Sequence, residues 1–404
     1  VAGNTVLGES ALDASVSGGN NTAVGKSSCT ALTSGSHNSA FGLSTLEALT
    51  SGSQNIAIGS FTLDALDTGT NNTGAGYAVL SSSTSASNNT GFGHKALFAN
   101  TTGTQNNGFG VNALAANETG DFNVAMGTNA LLSNTTADNN TAIGRNALLT
   151  NTTGADCTAV GCLALEANTT GTENSALGAN ALENCGSGGE NTAVGSQALQ
   201  TCSTGIRNSA LGREALHDLT TGENNTGCGR SAGEQITSGS NNLCLGFSAG
   251  RSSSPSGTIT TGSNNVVLGN DNISSLFCAD TSISASDSRD KTDIADFNIG
   301  LKWIDALRPV TYRWDRRTWY GTDAEPYGTP DGSKKRNKIH IGFLAQEALE
   351  VEKANGYGSS NDDSLIVNLT EDGMKYGIKY ERLVPILVNA IKELSAKVTA
   401  LEAG

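Results

Sequence analysis

Apolar and polar positions recur with a period of 17 residues along the first part of the chain. Each period is marked by a glycine, at 8, 25, 42, 59, 76, 93, 110, 127, 144, 161, 178, 195, 212, 229 and 246, and one more unit follows at Gly269 after a six-residue insertion. The residue just before each glycine is apolar or small, as in Val24, Phe41, Ile58, Phe92 and Met126, and the one two before it is nearly always Ala or Gly. Leu dominates four positions after it (Leu12, Leu46, Leu63, Leu148), and a second glycine usually falls ten after, as at Gly35, Gly52 and Gly103. Asparagine lies four before the glycine in 15 of the 16 units, with Cys157 the exception.

A unit this short, with two glycine turns and two or three apolar positions, cannot bury a core alone and has to stack on copies of itself. The pattern predicts a parallel β-solenoid, mainly β in class. Sixteen coils at one strand spacing each would extend over roughly 75 Å at about 4.8 Å per coil. A helical repeat is the rival, suggested by runs such as Asn146-Ala147-Leu148-Leu149. Helical repeats usually need about 30 residues or more per unit, and Thr, Asn and Gly at this density oppose helix.

Stacking gives several columns a meaning. Asn100, Asn117, Asn134, Asn151 and Asn168 occupy one position in five consecutive coils, where their amides can hydrogen-bond to one another up the rod. The same tracts read as Asn-x-Thr glycosylation sites at Asn134 and Asn151, but the period alone generates those tripeptides. If the apolar residue before each glycine points inward, alternation turns the small residue beside it outward. A row of small residues there suits close approach by second and third copies of the rod, and a homotrimer is expected. The motif Asn-Thr-Ala-Val-Gly, at 21–25 and 191–195, resembles the β-roll repeats in the heads of trimeric autotransporter adhesins and is similar to repeats of phage fibre shafts.

Composition narrows the function further. Residues 1–285 hold 7 Lys and Arg against 19 Asp and Glu, net −12, while 286–404 hold 17 against 19, net −2. An acidic shaft repels nucleic acid and anionic membrane surfaces, so neither is an expected partner. The chain has no apolar run long enough to span a membrane and no signal peptide. It begins within the repeat, so an upstream segment that docks other virion or fibre proteins is expected. All eight cysteines lie in the repeat half and none forms a paired zinc spacing, so no metal and no cofactor is expected. Most cysteines replace apolar or ladder residues and read as buried small hydrophobes. Cys185 and Cys202 stand at equivalent positions of adjacent coils, close enough to permit a disulfide.

The character of the chain changes near residue 270. All three Trp (303, 314, 319) and six of the seven Tyr fall after 285, where charged residues crowd in. This predicts a shaft over 1–278, a linker over 279–285, and a second α+β domain over 286–404, large enough for its own core. That domain opens with Ser286-Asp287-Ser288-Arg289-Asp290-Lys291. A serine and a lysine five apart can act as nucleophile and base if a turn joins them and the amine is partly desolvated. Taken alone, the same spacing also fits a solvated charged loop.

Three further blocks follow: Leu301 to Trp314, Ile341 to Glu347, and Tyr380 to Pro385 running into Leu394. Together with the opening motif, and in this order at a chain terminus, they resemble the intramolecular chaperone domain of phage endosialidases, tail spikes and fibres. The resemblance implies a trimer guided by this domain, which then cuts itself off. It implies a scissile bond between Ala285 and Ser286, with Ser286 as nucleophile, Lys291 as general base, and Asp287 and Arg289 orienting the pair. Such a self-processing serine endopeptidase acts on its own chain alone.

The end of the chain points the same way. Val384, Leu387, Ile391, Leu394, Val398 and Leu401 step by 3 and 4, the seam of a short coiled coil, with Pro385 in the first helical turn. The alternative is an amphipathic helix packed on its own domain. The function expected is a virion fibre or spike shaft with a role in host attachment, through a surface receptor or glycan. A cellular surface adhesin using the same assembly domain is the alternative, placed at the cell surface rather than on a virion. A depolymerase is weaker, because the acids of the repeat half are scattered at loop positions such as Glu118 and Asp138.

Overall fold

The computed structural model describes residues 3–273, 292–321, 325–369 and 374–403. Sixteen three-residue strands, from β1 (Thr5–Leu7) and β2 (Thr22–Val24) to β16 (Val266–Leu268), form one parallel sheet in which each strand pairs with the next coil. The register is fixed by the period: Ala23 faces Ala40 and Val24 faces Phe41, 17 residues on. The β-solenoid is therefore the fold of the repeat region. The run Asn146-Ala147-Leu148-Leu149 lies in turns, not helix.

Strict glycine has two causes. Gly144 has φ +138°, a region that side chains rarely adopt. A Cβ there would also sit 2.6 Å from the carbonyl carbon of Gly161 in the next coil. Leucine four residues later is held in the left-handed region as well, Leu148 with φ 52°. That strain, on the order of 1–3 kcal/mol for a non-glycine residue, is tolerated because the Leu148 side chain is fully buried and its N–H donates to Ala164 O at 3.0 Å in the following coil. Burying each such Leu stabilises the coil by about 1.5–3 kcal/mol.

In the inner coils the asparagine four before the glycine is buried and hydrogen-bonded through both its oxygen and its nitrogen. Asn38 Oδ1 accepts from the Asn55 backbone N–H at 3.0 Å, and Asn38 Nδ2 donates to Gly52 O at 2.9 Å. At Cys157 the thiol takes over the donor role, reaching Gly171 O at 3.3 Å. The second ladder forms as expected: Asn117, Asn134, Asn151 and Asn168 each donate Nδ2 to the Oδ1 of the asparagine one coil earlier, at 2.7, 2.8, 3.0 and 2.8 Å. Asn134 and Asn151 are fully buried, which leaves no acceptor for a glycan. The column continues into Cys185 and Cys202, both free thiols. Their mutual hydrogen bond and burial push the Cys185 thiol up.

One expectation is reversed. The small central residue of each strand points inward, with Ala40 and Ala57 fully buried, while the apolar residue before the glycine points out, Phe41 being 41% and Ile58 48% exposed. The coil is too narrow for two bulky rows. Leucine from the turn and the asparagine ladders fill the interior, so the inner strand face has room only for Ala or Gly. At Gly74 a Cβ would already lie 2.6 Å from Thr62 Cγ2 of its neighbouring coil. Small residues therefore give no outward face for close approach, and that argument for a trimer falls.

The chain divides into two compact units, the solenoid and a unit made of Gly250–Ile259 with the residues from Gly269 onward. The second contains α1 (Leu301–Ala306), β17 (Val310–Tyr312), β18 (His340–Gly342), α2 (Ala345–Lys353), β19 (Val367–Leu369), β20 (Tyr376–Ile378) and α3 (Leu383–Glu402). β17 pairs with β18 and β19 with β20, both antiparallel. Its core gathers Trp303, Leu307, Ala348, Ile366, Val367, Leu383 and Ile386. The buried Glu352 carboxylate ties the loop before β19 to this core, accepting from Ser364 Oγ at 2.7 Å and from the Val367 N–H at 3.1 Å.

Candidate functional site

The opening motif of the second domain, with Ala285, Ser286, Asp287, Arg289 and Lys291, lies outside the described residues. The three blocks downstream of it converge. Leu301 to Trp314 supplies α1 and β17, Ile341 to Glu347 supplies β18 and enters α2, and Tyr380 to Pro385 forms a 3-10 turn leading into α3. Tyr380 Oη accepts the Phe343 N–H at 3.2 Å, joining the last two. A Cβ on Gly342 would stand 2.5 Å from that hydroxyl, which accounts for the glycine. Trp303, from the first block, is buried with Ala348 of α2 and Ile386 of α3.

The stretch between the opening motif and α1 is strapped onto α3. Asn389 Nδ2 donates to the carbonyls of Phe297 and Ile299, the latter at 3.3 Å, and the Leu301 N–H donates to Glu393 Oε2 at 3.3 Å. At Gly300 a Cβ would meet Ala390 N at 2.8 Å, so backbone and helix touch directly. The helix thus holds the backbone from Phe297 to Leu301.

Helix α3 has two apolar faces. Leu383, Ile386 and Ala390 are buried against the domain. Val384, Leu387, Ile391, Leu394, Val398 and Leu401 stand outside it, Ile391 being 65% and Leu401 82% exposed. Packing on its own domain and carrying a seam are therefore both true of this helix. Stepping by 3 and 4, one row serves the core and the other lies next to it on the surface.

Sequence reasoning missed an ion cluster at the start of this unit. Asp271 is almost fully buried and is held by Arg316 at 2.7 Å, Thr318 Oγ1 at 2.6 Å and Lys375 at 3.0 Å. The Arg316 guanidinium lies 4.2 Å from the centre of the Trp314 ring, and Arg336 lies 5.0 Å from that of Trp319. Beside them a cavity of about 410 Å³ is lined by Trp314, Trp319, Arg336, Lys338 and His340. It is electropositive and aromatic, whereas Asp271 within the cluster is already neutralised by two cations. The partners lie 45 and 104 residues from Asp271, so no local spacing could have disclosed them; the Trp-Arg alternation over 313–319 is the one visible trace. Among the described residues, no group of His, Cys, Asp and Glu could hold a metal ion, and no helix is long and apolar enough to cross a membrane.

The domain so assembled has a core that combines parts of the spaced blocks with Ile366 and Val367, and its last helix carries an outward apolar row. Residues 286–357 match a peptidase family described as the chaperone of endosialidase. Comparison with curated proteins and with solved structures gives no match. A region with that match, following a β-solenoid along the chain, fits a fibre or spike carrying an intramolecular chaperone.

Proposed function

We propose that this chain is the shaft of a virion fibre or spike serving host attachment, with residues 1–278 as shaft, 279–285 as linker and 286–404 as an intramolecular chaperone that trimerises it. The observation that carries the reading is the uncovered seam of α3, Val384 to Leu401, which follows the residues 286–357 matched to the chaperone of endosialidase. Three such helices bury their seams against one another and bring three shafts to one level. The shaft cannot do this alone, because near-identical coils pair almost equally well after a shift of one coil, about 16 registers in all.

After assembly the domain cuts between Ala285 and Ser286. Ser286 follows the scissile bond, so its hydroxyl oxygen adds to the Ala285 carbonyl while the Lys291 amine takes the hydroxyl proton. The amide nitrogen of Ser286 leaves as an amine, protonated by the lysine. Water then hydrolyses the resulting ester, freeing the Ala285 carboxylate. Asp287 and Arg289 orient the pair. The strap from Asn389 to Phe297 supports a link between α3 and the cleavage motif, so that cleavage follows trimerisation. Once the chaperone has left, an unfolded shaft has no guided way back and is held kinetically.

The test is the mass of the expressed full chain. Wild type should yield a shaft ending at Ala285 and a released fragment starting at Ser286, and Ser286→Ala should remain whole while still trimeric. A wild-type trimer that stays intact would remove the protease role and leave the assembly role.

A further inference from the structure

The residue before each glycine forms an outward apolar column along the solenoid. In all sixteen strands this position is uncharged and apolar, from Leu7 through Phe92, Phe109 and Ile143 to Leu268. The other outward position of each strand, three before the glycine, is Thr, Ser, Asn or aliphatic, again without a charge. Yet residues 1–285 hold 26 charged side chains (7 + 19), so charge has been kept off this one face. The bulky members stack along the rod: the Phe92 and Phe109 rings lie 5.3 Å apart and nearly parallel. A solvated sheet face has no need of Phe, Met, Ile and Leu at every level, and an exposed apolar patch of this extent marks an interaction surface.

We infer that this column is the surface through which the shafts of neighbouring copies of this chain pack side by side; this rests on the trimer reading above. Three observations select another copy as the occupant. A strip about 75 Å long and roughly 10 Å wide covers about 750 Å² per copy, close to the roughly 800 Å² per partner of a stable protein interface. Its features repeat once per coil, and a second rod of the same chain repeats at the same spacing over the same length. Each shaft carries net −12 over residues 1–285, so like rods can approach within a Debye length, about 8–10 Å, only along a lane free of charge.

The experiment compares two cysteines in one coil of the full chain. Cys162, Cys228 and Cys278 are replaced by Ser, and either Ile143→Cys, on the column, or Arg145→Cys, two residues away and off it, is added. Cys228 already occupies the column in the natural sequence, so the fold accepts cysteine there. Cys29, Cys157, Cys185, Cys202 and Cys244 are fully buried, which keeps those thiols out of reach of the reagent. With a short bis-maleimide, Ile143→Cys should give at least tenfold more shaft-to-shaft cross-links than Arg145→Cys, and adding Leu177→Asp with Leu211→Asp should abolish that excess. Equal or absent cross-linking in particles whose light-scattering mass is three chains overturns the column as the interface and leaves the trimer standing. A mass of one chain overturns both.

Discussion

The solenoid and the C-terminal unit are stabilised in opposite ways. In the solenoid a typical bond joins equivalents 17 residues apart, as between Asn117 and Asn134, and the same bond recurs coil after coil. In the C-terminal unit no such repeat exists, and single bonds span long stretches of chain, as from Leu301 to Glu393 or Asp271 to Lys375. Stability of a stack is a sum over nearest neighbours, so the shaft gains rigidity with length but carries almost no information about level. The C-terminal unit has the reverse character, with one core and one arrangement. What the two share is an apolar row facing outward, the column of the shaft and the seam of α3, and both are expected to be covered only when copies associate.

Glycine substitutions break this comparison most sharply. Gly144→Ala forces a Cβ against the backbone of the next coil and leaves alanine at φ +138°, so the coils must part, at a cost of about 3 kcal/mol or more. Gly356 in the C-terminal unit also has positive φ, +86°, but a Cβ there meets nothing within 4 Å. Gly356→Ala should cost only about 1 kcal/mol. Proteolysis should cut the Gly144→Ala shaft near that coil while distant coils stay protected. Equal losses at the two sites would refute the packing argument.

A smaller effect is expected in the ladder. Asn134→Ala removes the donor to Asn117 Oδ1 and leaves that buried oxygen unpaired, at about 1–3 kcal/mol. Hydrogen exchange should rise in the coils on either side of Asn134 and stay unchanged in α1 to α3. If protection fell throughout the protein instead, the additive description of the shaft would be wrong.

Most of the shaft was legible because each position is written sixteen times. The period gave the coil and the column from Asn100 to Asn168 gave a ladder, while the ladder through Asn38 and Asn55 and the burial of Leu148 emerge only in the structure. The direction of the strand was not legible, because the rule that apolar side chains go inward assumes an interior with room for them. Here Leu148 and Asn151 fill the coil first, so Ile143 is turned out and Ala142 is left within. In the C-terminal unit the blocks around Trp303, Gly342 and Tyr380 could be read as parts of one domain. The bond from Tyr380 to Phe343 and the cluster around Asp271 depend on a tertiary arrangement that no spacing encodes. The seam of α3 was half legible: its steps of 3 and 4 are plain, but Leu383, Ile386 and Ala390 step the same way, and only the structure separates the two rows.

The smallest expected effect has the opposite sign and tests whether the ladder is a device or a by-product of the repeat. Cys157 interrupts the asparagine row four before the glycine; its N–H still donates to Asn140 Oδ1 at 3.0 Å and its thiol reaches Gly171 O at 3.3 Å. A thiol is a weak donor and a weak acceptor. Cys157→Asn places an amide donor toward Gly171 O and an oxygen toward the Asn174 N–H, as Asn140 does toward Cys157. One stronger and one added hydrogen bond should stabilise that coil by about 1 kcal/mol, seen as slower exchange of the amides at 157 and 174. Because the other coils are already complete, the gain should stay within that coil and the next. Destabilisation would mean that Cys157 is selected for packing volume, and that the asparagines on either side are not interchangeable with it for a reason other than hydrogen bonding.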